Sequence, residues 1–260
     1  MLFDADTATI LVTRYSLREQ RIMKMARIKG EPMRVEWFRL RSLLFKEITL
    51  SSMLAQSLRP MRWYLLLAEG DQSLLEEHVP SLPEWVEPLY LRDGELVMPR
   101  LYADIVATFG WAKNLVISRL DNDDALHGDY FKTMSEEMDW GEVLSNCYLI
   151  QEKGCRWDGY RIQTFNYRTS PFLTVVSRDW QETQPNPLVD HMKVLRYKHV
   201  VLRGIADEAM WMQSVHGLNA SNVFRADFGS VTDVGVEYIR RKFSVSDGAV
   251  RALALNTPMA

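Results

Sequence analysis

Two cysteines, Cys147 and Cys155, are all that the 260 residues contain. Their spacing fits no metal motif, and two cysteines cannot build a disulfide framework. Both read as ordinary thiols of a reducing compartment. No run approaches the roughly 18 consecutive apolar residues of a membrane span. The opening "MLFDADTATILVTRYS" carries acids ahead of a short apolar run, unlike a secretory signal. The expected location is therefore cytoplasmic. Excess charge is missing as well. Thirty-one basic against 34 acidic residues leave a net charge of -3, with no general attraction to nucleic acid. A Walker A loop, a dinucleotide fingerprint and a zincin helix are absent. So are internal repeats and low-complexity segments.

What is present is ordinary globular material, 47% apolar and 25% charged, enough for a sizeable core. "TILVT" (9–13), "RWYLLLA" (62–68), "WVEPLYL" (85–91, weakened by Pro88) and "NLVIS" (114–118) read as short buried strands. Between them, 35–56 and 97–109 have helical periodicity, the second closed by Gly110, and "SLLEEHV" (73–79) is a short helix. Further on, 145–165 looks like two strands around a turn at Gly154, and "PFLTVVSRDW" like another strand. Pro185 and Pro187 mark a loop, and a last helical region at 232–255 breaks near "SVSDG". Strand–helix alternation predicts an α/β fold with a central, mostly parallel sheet and flanking helices. We expect one domain over 1–260, with halves at 8–126 and 127–260.

One stretch asks for chemistry. In "NLVISRLDNDDALHGDY" (114–130) an apolar strand runs into Asp121, Asn122, Asp123 and Asp124. In open α/β sheets ligands sit beyond the carboxyl ends of the strands, which is where this cluster falls. In extended backbone residues i and i+2 face one side, so Asp121 and Asp123 would point together, with Asp124 supporting. Convergent carboxylates suit Mg²⁺ or Mn²⁺. An acidic turn opening a helix has the same composition. An EF-hand starting at Asp121 fails, because Ala125, Leu126 and Lys132 stand where it needs a ligand, Gly and Glu. A phosphatase of the haloacid dehalogenase type shares the paired aspartates, but its motif usually opens the chain.

Several stretches together resemble the rhamnosyltransferase-like family of GT-A glycosyltransferases. They are "TRYSL" (13–17), "RLRSLLFKEITLSSMLAQS" (39–57), "RWYLLLAEG" (62–70), "SRLDNDDAL" (118–126) and "WMQSVHGLNASN" (211–222). Ser51 and Ser52 depart from the pattern, which usually has a proline there. The resemblance covers most of 8–224. It implies a GT-A-like nucleotide-binding fold, a nucleotide-sugar donor, a divalent metal and transfer to an acceptor hydroxyl. It implies metal contacts from Asp123, Asp121 and the late His216, with Asp124 behind them. Thr13, Arg14 and Tyr15, at the end of the first strand, would meet the nucleotide, Tyr15 by stacking on the base. Arg119, Asp121, Asn219, Ser221 and Asn222 would bind phosphate, ribose or sugar, with Arg119 alternatively pairing Asp124. Asp179, Asp190 and His191 are the acceptor-side bases that an inverting transferase would need.

The reading is a metal-dependent glycosyltransferase using Mn²⁺ or Mg²⁺. Its acceptor would be a polysaccharide, a lipid-linked saccharide or, less expected, a modified nucleic-acid base. A homo-oligomer is compatible with it. Two other readings stay open: a phosphatase or nucleotidyl-type enzyme using the same carboxylates, and a non-catalytic GT-A-like scaffold.

Overall fold

The structure is a computed structural model that describes residues 5–17, 30–137, 143, 146–196, 200–204, 207–217 and 223–256. Its centre is a seven-stranded sheet in the order β10-β6-β9-β4-β1-β2-β3. The first four strands are β1 (Thr7–Arg14), β2 (Arg62–Ala68), β3 (Val86–Leu91) and β4 (Asn114–Arg119). They pair in parallel throughout. β9 (Thr174–Arg178) enters antiparallel between β4 and β6 (Asn146–Gln151), and β10 (Val200–Gly204) runs parallel to β6. The sheet is thus mixed and mostly parallel.

Alternation along the strands explains the layering. Leu11, Trp63, Leu65, Leu67 and Val116 enter one apolar cluster. Their neighbours Ile10, Val12, Tyr64, Leu66, Leu115 and Ile117 enter another on the opposite face. Period-two side-chain direction sends one strand into both cores, which is why these strands read as unbroken apolar runs. Pro88 is tolerated because β3 lies at the sheet edge. Helix α1 (Gly30–Leu44) adds Trp37 and Phe38 to the first cluster. It continues as a π-helix over Phe45–Leu50 and then as α2 (Ser51–Leu54). The helical periodicity foresaw the length of this segment but not its π-wound middle. Ser51 donates to the Lys46 carbonyl at 2.9 Å and Ser52 to that of Thr49 at 2.9 Å, uses of a hydroxyl that proline could not make.

A second sheet, ordered β12-β8-β7-β11-β5 with β12 at Thr232–Asp233, packs beside the first. Here the expected turn at Gly154 is corrected. Gly154 lies inside β7 (Lys153–Trp157), and the turn falls at 158–160, before β8 (Arg161–Asn166), where Gly159 takes φ +101°. β6 and β7 are separate strands in different sheets. Gly154 is needed for close approach: it pairs with Trp211 of β11 (Trp211–Ser214), and the indole lies where a Cβ would project. The indole Nε1 donates to the Gln151 carbonyl at 2.8 Å. β5 is only Ala125–Leu126, yet its antiparallel pairing with β11 joins two distant parts of the chain. Helices α3 (Val236–Phe243) and α4 (Ala249–Leu255) close the third apolar cluster over this sheet through Ile239, Phe243, Ala252 and Leu253.

Gly154→Ala forces a methyl into the Trp211 ring. The expected cost is about 1–3 kcal/mol of stability, the usual range for overpacking. Thermal or denaturant unfolding of the variant measures it, and an unchanged midpoint would contradict this seat for the indole.

Candidate active site

The residues after β4 form a tight turn rather than extended backbone, with the Asp124 N–H approaching the Asp121 carbonyl at 3.4 Å. The i, i+2 alternation therefore does not apply. Each member of the acidic cluster meets a different partner. Asp121 is about one-third exposed and lies 3.8 Å from Arg14 and 3.7 Å from Arg119. Asn122 is buried and donates to the Tyr15 carbonyl at 2.9 Å, tying the turn to the end of β1. Asp123 is buried, and its Oδ2 lies 2.9 Å from His216 Nε2 and in contact with Arg41 Nη1. Asp124 is buried and accepts the Ser214 N–H at 2.8 Å.

The ladder explains why residues 93 positions apart meet. Ala125 pairs with Met212 and Leu126 with Trp211, and the His127 N–H continues the ladder to the Met210 carbonyl at 2.9 Å. Extending that register backward brings Asp124 opposite the end of β11, with His216 just beyond it. From the other side Gln56 donates to the His127 carbonyl at 2.7 Å, and the Ser57 hydroxyl meets Asp129 at 2.6 Å. The long helical segment thus meets the acidic turn at Arg41, and the residues just past its end hold 127–129 on the far side of β5.

Burial and charge compete on these groups. Burial alone would push Asp123 up, but the Arg41 charge and the His216 hydrogen bond outweigh it and hold the carboxyl well below the usual range. Asp124 goes the other way. Burial, then the charges of Asp123 and Asp121, push it well up. Burial pushes the His216 imidazole down, keeping it neutral at neutral pH and donating to Asp123.

The donor set suits a hard divalent ion once the His216 proton moves to Nδ1 and frees Nε2: a buried carboxylate beside a neutral imidazole. Two ligands at adjacent corners of an octahedron with bonds of about 2.1 Å lie about 3 Å apart, close to the 2.9 Å found here. Asp121 sits with its arginines instead. Among the described residues no three His, Cys, Asp or Glu side chains close on one point.

Other expected positions need correction. Thr13 is fully buried and accepts the Trp63 indole N–H at 2.9 Å. Tyr15 is buried against Phe38 and Phe45, with its hydroxyl donating to Ser42 at 2.8 Å. Both are core groups, because they share with Leu11 the side of the chain that faces the first apolar cluster, and neither offers a face to a base. Arg119 faces Asp121 and not Asp124, and donates to the Val189 carbonyl at 3.4 Å. Asp179 follows β9, whose end pairs with the start of β4. The antiparallel direction of β9 carries Asp179 to the sheet edge opposite the acidic turn, which removes it as a base. Asp190 and His191 do border the site. Burial first, then the nearby Arg119 charge, pushes His191 down. Asn219, Ser221 and Asn222 lie outside the described residues. Arg41 and Asn122 were not anticipated. A lone arginine on a helix face and an asparagine among aspartates carry no local signal of a long-range contact.

Asp124→Asn keeps an acceptor for the Ser214 N–H and removes a charge the site disfavours. A carboxyl raised in the folded state binds its proton more tightly there than when unfolded. Its contribution is then fully present below the ordinary carboxylate value near pH 4 and is lost as pH rises. The variant should therefore melt higher than the native protein at pH 7, with the gap shrinking toward pH 4. Melting curves across that range check it, and a gap that widens on acidification would contradict the assignment.

Among solved structures, TarS residues 1–349 from S. aureus in complex with UDP aligns at TM-score 0.40 and 14% identity, covering 81% of this chain and 61% of that one. The inositol-1-phosphate CTP transferase from T. maritima aligns at TM-score 0.39 and 15% identity, covering 81% of this chain and 90% of that one. The 4-diphosphocytidyl-2C-methyl-D-erythritol synthase from Anaerococcus prevotii aligns at TM-score 0.38 and 10% identity, covering 79% and 92%. Comparison with curated proteins finds no match. The family model described as "Putative rhamnosyl transferase" matches residues 9–227, which contain the acidic turn, the long helical segment and His216. The chain belongs to that family and is a glycosyltransferase.

Proposed function

We propose that this glycosyltransferase takes its sugar from a nucleotide-sugar donor bound at the carboxyl edge of β1 and β4, with a divalent ion, Mn²⁺ or Mg²⁺, under the donor's diphosphate. The observation that carries the reading is the meeting of Asp123 with His216, two motifs 93 residues apart in sequence and 2.9 Å apart in space. Asp123 and His216 would hold the ion, and Asp121 would complete its surroundings or meet the ribose. When bound, such an ion neutralises the diphosphate and makes it a better leaving group.

The chain's own residues do the rest. Arg14 and Arg119 point from adjacent strands toward the space around Asp121, where they would meet phosphate oxygens. A pocket lined by Leu17, Ala68, Leu91, Arg92, Gly94 and Val97 opens at the carboxyl ends of β2 and β3 and would take the nucleoside. Thr13 and Tyr15 then act from the core, holding the strand end from which Arg14 projects. On the acceptor side Asp190 and His191 stand near Arg119. His191, kept neutral by burial, can accept the acceptor's hydroxyl proton as the glycosidic bond breaks. A saccharide is the proposed acceptor. Among the described residues no helix is long and apolar enough to cross a membrane.

Charge grows on the diphosphate as the sugar leaves, so groups fixed around it act more strongly on the transition state than on the bound donor. Asp123→Asn preserves shape and removes the charged ligand. We expect turnover to fall on the order of 10²-fold or more, about 3 kcal/mol of barrier. The matching nucleotide sugar at about 100 times its dissociation constant, with Mn²⁺, should stabilise the native protein by about 2.7 kcal/mol. Thermal-shift screening of UDP-, GDP-, CMP- and dTDP-sugars with and without Mn²⁺, followed by hydrolysis or transfer assays, provides the test. Full activity of Asp123→Asn, or indifference of the native enzyme to chelator, would refute the metal-dependent reading.

A further inference from the structure

The proposed site asks for a cation at Asp123, and the protein already puts one there. Arg41 Nη1 contacts the same Oδ2 that meets His216. The arginine side chain is only 13% exposed and lies over the Trp37 ring at 5.7 Å. Its Nε is buried with no hydrogen-bond partner among the described residues. Arg14 and Arg119 repeat the pattern. The Nε of each is buried without a hydrogen-bond partner among the described residues, while the guanidinium faces Asp121 across 3.8 and 3.7 Å. Those are ion-pair separations and too long for hydrogen bonds. Three guanidiniums from separate elements therefore surround the acidic turn with donors still to give. A guanidinium fork matches the oxygens of a phosphate.

We propose that Arg41 is an exchangeable counter-ion. It neutralises Asp123 in the unloaded protein, yields that oxygen to the divalent ion, and turns its fork to the donor's diphosphate. The proposal rests on the metal-dependent nucleotide-sugar reading. Its reasoning is electrostatic. Two cations on one carboxylate oxygen repel, and a diphosphate arriving with the ion supplies the negative charge that a displaced guanidinium needs. Arg41 is in the last turn of α1, so rotation of its own side chain suffices for the move.

The test compares the full-length native protein with Arg41→Gln and Arg41→Lys, each checked for folding by circular dichroism. Mn²⁺ alone is titrated by the electron paramagnetic resonance signal of the free ion. Inorganic pyrophosphate is then titrated calorimetrically at saturating Mn²⁺. Arg41→Gln should bind Mn²⁺ about tenfold or more tightly than the native protein, because no competing cation occupies Asp123. It should bind pyrophosphate about tenfold or more weakly, having lost a charge-assisted fork. Arg41→Lys, which keeps the charge without the fork, should match the native protein for Mn²⁺ and fall below it for pyrophosphate. Equal Mn²⁺ affinity in native and Gln proteins would overturn the exchange and leave the metal reading standing. Absence of Mn²⁺ binding in both would overturn exchange and metal reading together. Undiminished pyrophosphate binding by both variants would overturn the transfer to phosphate. Should Arg41→Gln not fold, native-like pyrophosphate affinity in Arg41→Lys would count against the proposal in the same way.

Discussion

Two residues of antiparallel ladder, Ala125 and Leu126 against Met212 and Trp211, hold the site together. All four side chains are buried, so the pairing is fixed by packing as much as by its hydrogen bonds. A slip of one residue would turn all of them over and send the apolar set to the wrong face. The same slip would carry Ser214 away from Asp124 and His216 away from Asp123. Trp211 anchors the register from behind, seated on Gly154 with its indole N–H on the Gln151 carbonyl. Each of these contacts is individually modest. Together they close a chain loop of more than eighty residues onto one geometry, against the closure entropy of that loop.

The electrostatics of the turn follow from that placement. Three carboxylates in four residues repel, and a cation from solution is one solution. The fold supplies another: Arg14 from β1 and Arg119 from β4 both face Asp121, and Arg41 from the helix faces Asp123. A buried ion pair such as Arg41 with Asp123 contributes little net stability, because desolvation offsets most of the attraction. Breaking one, by contrast, strands a charge. The arrangement is thus poor as a stabilising device and good as a way of keeping charged groups at fixed positions in a low-dielectric setting. Burial that raises Asp124 and depresses His216, beside an Asp123 held low, gives neighbouring groups opposite proton affinities.

How much of this was legible in the sequence depended on distance along the chain. The first four strands and the helix over Val97–Phe109 could be read because their signals are local: unbroken β-branched or aliphatic runs, helical spacing, a closing glycine. Asp123 stood out through the acidic cluster that follows a strand, and His216 only through a matched motif, since nothing in either stretch points to the other. Thr13 and Tyr15 misled because a motif at a strand end does not say which residue leaves the core first. Asp179 misled because its edge of the sheet depends on the direction of β9, and an apolar run reads the same in both directions. Gly154 looked like a turn glycine, yet what it answers is the indole of Trp211, 57 positions later. Arg41 had no signal of its own. Its neighbours Trp37 and Leu44 mark a buried helix face, and a basic residue between such positions is ordinarily solvated.

The helical segment that carries Arg41 also explains why a stretch so far from the carboxylates shares in the family pattern. Its first part presents Arg41 to Asp123 and Ser42 to the Tyr15 hydroxyl. Its far end presents Gln56 and Ser57 to the backbone and side chains at 127–129. The acidic turn and residues 127–129 are therefore gripped by this segment and the residues that end it. Between the grips lies the π-wound stretch Phe45–Leu50, a winding that occurs mostly as short insertions and often at functional sites. Ser51 reinforces it through the Lys46 carbonyl, five residues back, the spacing of the π turn itself. A uniform α-helix through the same residues would present a different face after the insertion and could not keep both grips in register with the packed strands. Length, winding and the hydroxyl at Ser51 are thus one adaptation, and its purpose lies at the turn that the helix never joins in sequence.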